Sequence, residues 1–261
     1  MTVRPQPATL APCLVEALPL TFLRSAIFFV WFALVSATIC IVFLPALILP
    51  RKITVWMSRQ WSALVFWGLR VIAGVGFEVR GTVPRNGVLV AAKHMSMWDT
   101  LALYLVLDDP AVVLRRSLQF IPFYGWYIAK AGSIAIDRSG GATTLRRMTA
   151  AAKRALDAGR SILIFPEGTR KKPDAAPDYK PGVAALYSQL GVTCIPAALN
   201  SGLFWTGFTK YPGNIVLEFL EPIPPGLRAR DFLRQLENRI ESATSELVEE
   251  GKNRLERGNK S

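Results

Sequence analysis

One stretch of this chain, residues 25–50, carries no charge: SAIFFVWFALVSATICIVFLPALILP. Read as a continuous helix it reaches about 39 Å at about 1.5 Å rise per residue, enough to cross a bilayer core. It is too long for the apolar region of a signal peptide, and no small-residue cleavage site follows it. Pro45 stands where it would kink the run. Residues 53–75 read differently. Val55, Trp56, Trp61, Leu64 and Trp67 are interleaved with Arg59, Gln60 and Arg70. This pattern predicts an amphipathic helix with aromatic anchors, lying at a membrane interface. A second spanning helix is disfavoured by the two arginines, and a hairpin dipping into one leaflet is also compatible.

From residue 77 onward the texture is globular. Residues 77–80 and 88–92 read as strands with a turn at 84–87. Residues 100–107 are apolar at helical spacing, with Asp99 as the expected N-cap. A basic amphipathic helix is expected over 143–159, ended by Gly159, and a shorter one over 183–190, stopped by Gly191. Residues 161–165, 193–198 and 215–220 read as strands, and 228–252 as a charged amphipathic helix. Strands alternate with helices, which makes the domain α/β. The chain divides into a tail (1–24), a membrane anchor (25–75) and a globular domain (76–261).

Charge narrows the range of partners. The net charge is +12, the pI about 10.0 and the mean hydropathy +0.28. Such a balance favours anionic partners, and the apolar excess points to a membrane surface rather than nucleic acid. Arg51, Lys52, Arg59 and Arg70 follow the uncharged run, while only Arg4 and Arg24 precede it. The positive-inside bias then places everything after residue 50 on the cytoplasmic face of the inner membrane. The cysteines, Cys13, Cys40 and Cys194, are too few and too far apart for a disulfide framework. With one histidine and no cysteine pair, a zinc site of the usual kinds is excluded.

That histidine, His94, follows an apolar strand, and Asp99 stands five residues on. Imidazole is the side chain whose ordinary pKa suits proton transfer near neutrality. A carboxylate on one ring nitrogen fixes its tautomer. The bland alternative is a structural histidine followed by a capping aspartate. No G-x-S-x-G elbow occurs, Ser96 is too close in sequence for an ordinary triad, and Cys194 reads as core.

A second strand end carries Glu167-Gly168-Thr169-Arg170. Gly168 allows close backbone approach, and Arg170 can grip a phosphate with two parallel hydrogen bonds. Taken alone, this could equally be a solvated surface turn. A third run, 132–138, ends in Asp137 and Arg138, and Lys180 precedes a helix start. Between Asp137 and Lys172 there are nine basic residues against three acidic ones. The combination reads as a phosphate cradle beside a proton acceptor.

In this order, His94-x4-Asp99, Ile121-Pro122-Phe123-Tyr124-Gly125-Trp126, Gly132 to Arg138, Glu167-Gly168-Thr169-Arg170 and Ile195-Pro196 resemble the 1-acylglycerol-3-phosphate acyltransferase family over about residues 77–221. Lys93 stands where that family frequently has asparagine, and Ala135 where it often has phenylalanine. The resemblance implies a mixed sheet flanked by helices behind an N-terminal membrane anchor. It implies that His94, oriented by Asp99, takes the proton from the free hydroxyl of a lysophospholipid, which attacks the thioester of acyl-CoA or acyl carrier protein. It assigns Arg138, Glu167, Gly168, Thr169, Arg170 and Lys180 to acceptor binding, and Pro196 to the wall of the acyl or acceptor pocket. No cofactor and no metal are implied beyond the acyl donor. The wider superfamily also acylates other lysolipids, lyso-ornithine lipid among them.

Overall fold

Two long helices lead into the sheet in the computed structural model, which describes residues 12–85, 87–137 and 141–258. The first, α1 (Pro12–Val42), begins well before the uncharged run and takes in residues expected as tail. Its segment Pro19–Val42 is long and apolar enough to cross a membrane. The helix does not continue to Pro50. It ends at Val42, and a 3-10 turn over Leu44–Leu47 carries Pro45 in its first turn. Proline lacks the amide that would extend the helix but suits a first turn. The second helix, α2 (Arg51–Ala73), opens after Pro50 and closes on Gly74 in the left-handed conformation.

These helices are not a detachable anchor. Phe28 of α1 and Val65, Phe66 and Leu69 of α2 share one apolar core with the sheet and with Trp98. Trp31 donates to Leu64 O at 3.3 Å and its ring packs on Trp67. Trp56, Trp67 and Val71 remain exposed on the outer side of α2.

The sheet contains β1 (Val75–Arg80), β2 (Leu89–Ala92), β3 (Ala111–Arg115), β4 (Ile134–Ile136), β5 (Ile162–Ile164), β6 (Cys194–Leu199) and β9 (Gly213–Phe219), in the order β1-β9-β6-β2-β5-β3-β4. Only the β6–β9 pair is antiparallel, so the sheet is mixed, as the resemblance implied. Between β6 and β9 a short helix, α7 (Ser201–Phe204), leads into the small hairpin β7 (Trp205–Thr206) and β8 (Thr209–Lys210). The helices α3 (Met97–Val106), α4 (Tyr124–Lys130), α5 (Gly141–Asp157), α6 (Pro181–Leu190) and α8 (Ala229–Gly258) complete the chain.

Side chains alternate across a strand, and β2 shows what this does. Val90 and Ala92 join the core under α1, α2 and α3, while Leu89 and Ala91 join the core under α5, α6 and α8. The strand β3 and the helix α4 were not anticipated. Each is short, and the β3 run stands directly after Asp108-Asp109-Pro110, where turn chemistry dominates the local signal.

The topology places the site. β2 lies between β5 and β6 and runs parallel to both. Its carboxyl end therefore opens on the same edge as the carboxyl end of β5, where α/β sheets gather ligands.

Candidate active site

His94 stands two residues past the end of β2, and five donors converge on the carboxylate that orients it. Asp99 Oδ2 accepts from His94 Nδ1 at 2.9 Å, Met95 N at 2.6 Å and Ser96 N at 2.8 Å. Asp99 Oδ1 accepts from Ser201 Oγ at 2.5 Å and Ser96 Oγ at 3.2 Å. Asp99 is fully buried. The N-cap of α3 is Ser96 and not the expected Asp99: Ser96 Oγ accepts from Trp98 N, and Asp99 reaches back from the N3 position to close a capping box. The helix thus starts three residues earlier than its apolar periodicity indicated. That earlier start is what turns the Asp99 carboxylate back toward His94.

An ionised carboxylate only accepts hydrogen bonds. Nδ1 of His94 therefore carries the proton, and Nε2 keeps its lone pair. The ring stacks on Phe165, with centroids 4.0 Å apart and planes inclined by 21°. The imidazole is held on one side by charge and on one face by packing, which suits a general base.

The second motif arrives from the neighbouring strand. Glu167-Gly168-Thr169-Arg170 forms the turn after β5, and Lys171 N donates to His94 O at 2.8 Å, which ties the turn to the histidine backbone. Gly168 has φ of +66° and donates its amide to Phe165 O at 2.9 Å. This left-handed conformation is strained for a residue with a Cβ. Glu167 is buried, with Oε1 accepting from Lys93 Nζ at 3.0 Å. Burial raises its pKa above the usual carboxylate value, and Lys93 opposes that shift.

His94, Glu167, Gly168, Arg170 and Lys180 all line one cavity of about 1010 Å³. Its remaining walls are mostly apolar and come from α1, α2, α3, β3, α4 and α5. Ile121 and Tyr124 of the aromatic segment reach it as well, and burial pushes the Tyr124 phenol upward. Lys180 stands exposed at the rim and pairs with Asp178 at 2.7 Å.

Two expected site residues are placed elsewhere. Pro196 lies in the middle of β6, buried opposite Ala91, and its carbonyl accepts from Leu220 N; it does not line the cavity. A residue in the interior of a strand between two others has no route to the sheet's edge. Thr169 is exposed and likewise absent from the cavity wall. Arg138 falls outside the described residues, although Asp137 beside it reaches the cavity. Cys194 is a core residue, as read, and burial raises its thiol pKa. Among the described residues no three His, Cys, Asp or Glu side chains converge as a metal site.

Ser201 and Phe165 escaped the sequence reading. Ser201 lies just after β6, far from α3 in sequence, and its contact with Asp99 is purely tertiary. Phe165 looked like the last residue of an apolar strand. Its only distinguishing signal is its place immediately before the charged turn.

Comparison with known proteins gives this geometry a family. An acyltransferase family model matches residues 76–200. A 1-acyl-sn-glycerol-3-phosphate acyltransferase of Pseudomonas aeruginosa is 33% identical over 203 residues, covering 75% of this chain and 77% of the relative. The chain belongs to the 1-acyl-sn-glycerol-3-phosphate acyltransferase family. It is an O-acyltransferase. A lyso-ornithine lipid O-acyltransferase of Pseudomonas aeruginosa is 28% identical over 200 residues, covering 68% of this chain and 76% of that one. The crystal structure of a 1-acyl-sn-glycerophosphate acyltransferase from Thermotoga maritima shares the fold, with a TM-score of 0.69 at 21% identity over 86% of this chain and 97% of its own. In this acyltransferase the apolar α1 gives the fold an element suited to membrane association.

Proposed function

We propose that this acyltransferase moves a fatty acyl group from a thioester donor, acyl-CoA or acyl carrier protein, to the free hydroxyl of 1-acylglycerol 3-phosphate. The observation that carries the reading is the His94–Asp99 pair opening into an apolar cavity whose polar end holds Arg170 and Glu167.

The His94–Asp99 pair and the cavity beside it support the following steps. His94 Nε2 takes the proton from the acceptor hydroxyl as its oxygen bonds to the thioester carbon. The C–S bond then breaks, and the imidazolium returns its proton to the leaving thiolate. Asp99 supports the imidazolium throughout. Base catalysis of this kind typically supplies about 10²–10⁴ in rate. Arg170 and Lys180, with Arg138, bind the phosphate. Glu167 receives a hydroxyl of the glycerol headgroup, while Gly168 and Thr169 shape the turn. The apolar walls take the acyl chains. No cofactor or metal enters the scheme.

The acceptor's own chain supports a site at the membrane surface. Each CH₂ drawn from the bilayer costs about 0.8 kcal/mol, so the headgroup is best met in its plane. The segment after α1 carries the greater positive charge, which supports a catalytic domain on the cytoplasmic face of the inner membrane.

Purified protein supplied with labelled acyl donors and a panel of lysolipid acceptors tests the reading by product analysis. Phosphatidic acid is the expected product. Preferential acylation of lyso-ornithine lipid would replace the acceptor and keep the chemistry. Release of free fatty acid without any acceptor would overturn it.

A further inference from the structure

Lys93 immediately precedes the base, and its side chain is 1% exposed. A buried ammonium persists only when its charge is matched and its donors are bound. Two carboxylates meet this one. Glu167 Oε1 lies at 3.0 Å and Glu241 Oε1 at 2.7 Å, and Tyr179 Oη donates to the same Glu241 oxygen at 2.9 Å. The end of β2, the turn after β5 and the helix α8 are thereby joined at one point.

The other oxygen of Glu167 is different. Oε2 is buried and has no hydrogen-bond partner among the described residues, while the residue lines the cavity with His94 and Arg170. A buried acceptor left open costs free energy unless something donates to it. A cluster serving only to hold three elements together gains nothing from that opening.

We propose that Lys93 is a positioning residue that binds one oxygen of Glu167, so that the second oxygen accepts a hydrogen bond from a hydroxyl on the acceptor's headgroup. This inference rests on the acyl-transfer reading above.

The electrostatics support the assignment. Burial favours the protonated form of Glu167, and a carboxylic acid would present a proton where an acceptor is needed. The charged groups facing Glu167 are Lys93 just after β2, Glu241 from α8 and Lys171 from its own turn; His94 shares the cavity, and Tyr179 reaches the cluster through Glu241. Lys93 and Lys171 favour the carboxylate, and Glu241 opposes it. With Lys93 gone, two carboxylates face each other and Glu167 takes up a proton at higher pH.

Steady-state kinetics with lysophosphatidate and acyl-CoA, between pH 6 and 9, test this on Lys93→Met. The expected result at neutral pH is an acceptor KM raised about tenfold with the donor KM unchanged, and an acid limb displaced to higher pH so that activity returns on alkalinisation. In a Glu167→Gln background the same substitution should add little, because coupled residues are not additive. Lys93→Arg should restore part of the acceptor affinity. Lys93→Met/Glu241→Gln removes one charge of each sign, and it carries the same test if the single variant does not fold. A wild-type acceptor KM and pH profile in Lys93→Met, or an undiminished effect in the Glu167→Gln background, would overturn the proposal. Unfolding of both Met variants would overturn it too, by making Lys93 a structural residue. Wild-type protein that transfers no acyl group to lysophosphatidate is a separate outcome, and it would strike the acyl-transfer reading itself.

Discussion

The carboxylate oxygen that holds the His94 ring also caps the next helix: Asp99 Oδ2 lies 2.9 Å from His94 Nδ1 and 2.8 Å from the Ser96 amide. One turn of chain therefore fixes both the tautomer of the base and the start of α3. Asp99 can serve both because its second oxygen is occupied by two hydroxyls, which leave it no freedom to rotate.

Removing either partner should have different consequences. His94→Ala is expected to lower kcat by about 10²–10⁴-fold with little change in melting temperature, since the ring is not a keystone of either core. Asp99→Asn is expected to lose activity comparably and also to destabilise the fold by about 1–3 kcal/mol, because a neutral amide with one accepting oxygen replaces a carboxylate that accepts through both. Turnover paired with denaturant melts separates the two. An active His94→Ala protein would sink the base assignment.

Gly168 sits at φ +66° in the turn that carries Arg170. Gly168→Ala should cost about 1–2 kcal/mol of backbone strain or shift the turn. Either outcome predicts a raised acceptor KM with the donor KM unaffected. Equal effects on both substrates would detach this turn from acceptor binding.

The contact between the first two helices is as close as glycine allows. A Cβ at Gly68 would overlap the Trp31 indole. Gly68→Val is expected to destabilise the protein by about 1–3 kcal/mol through overpacking and to loosen α1 from α2. Because both helices line the cavity, acyl transfer should fall along with the melting temperature. Truncating the ring in Gly68→Val/Trp31→Ala should recover part of that loss.

Burial lowers the Lys210 pKa to about 8, with the ammonium held by the carbonyls of Gly207 and Phe208 beside the Trp205 ring. In the unfolded chain a lysine keeps its proton up to about 10.4. Between about pH 8 and 10.4 the unfolded state therefore binds more protons, and the Lys210 contribution to stability rises with pH. The melting temperature of wild type relative to Lys210→Met should therefore rise as pH increases across that window. A constant difference would show that Lys210 titrates normally.

Much of this protein was legible from local pattern. The uncharged run, the strand that delivers His94, the stop at Gly191 and the strand ending at the Glu167 turn all follow from side-chain periodicity and backbone preference, which act over a few residues. His94 and Asp99 belong to the same class, since one turn spans them. What lay beyond reach was adjacency. Nothing in the apolar segments β2 and β5 says that they are parallel neighbours, yet that pairing alone sets the base beside the Glu167–Arg170 turn. Likewise, Lys93, Glu167 and Glu241 read as three ordinary charges until packing strips them of water and leaves them one another as partners. Hydrophobic pattern reports which face a residue turns inward. It cannot report what is waiting there, because that depends on how separate segments share a single buried volume.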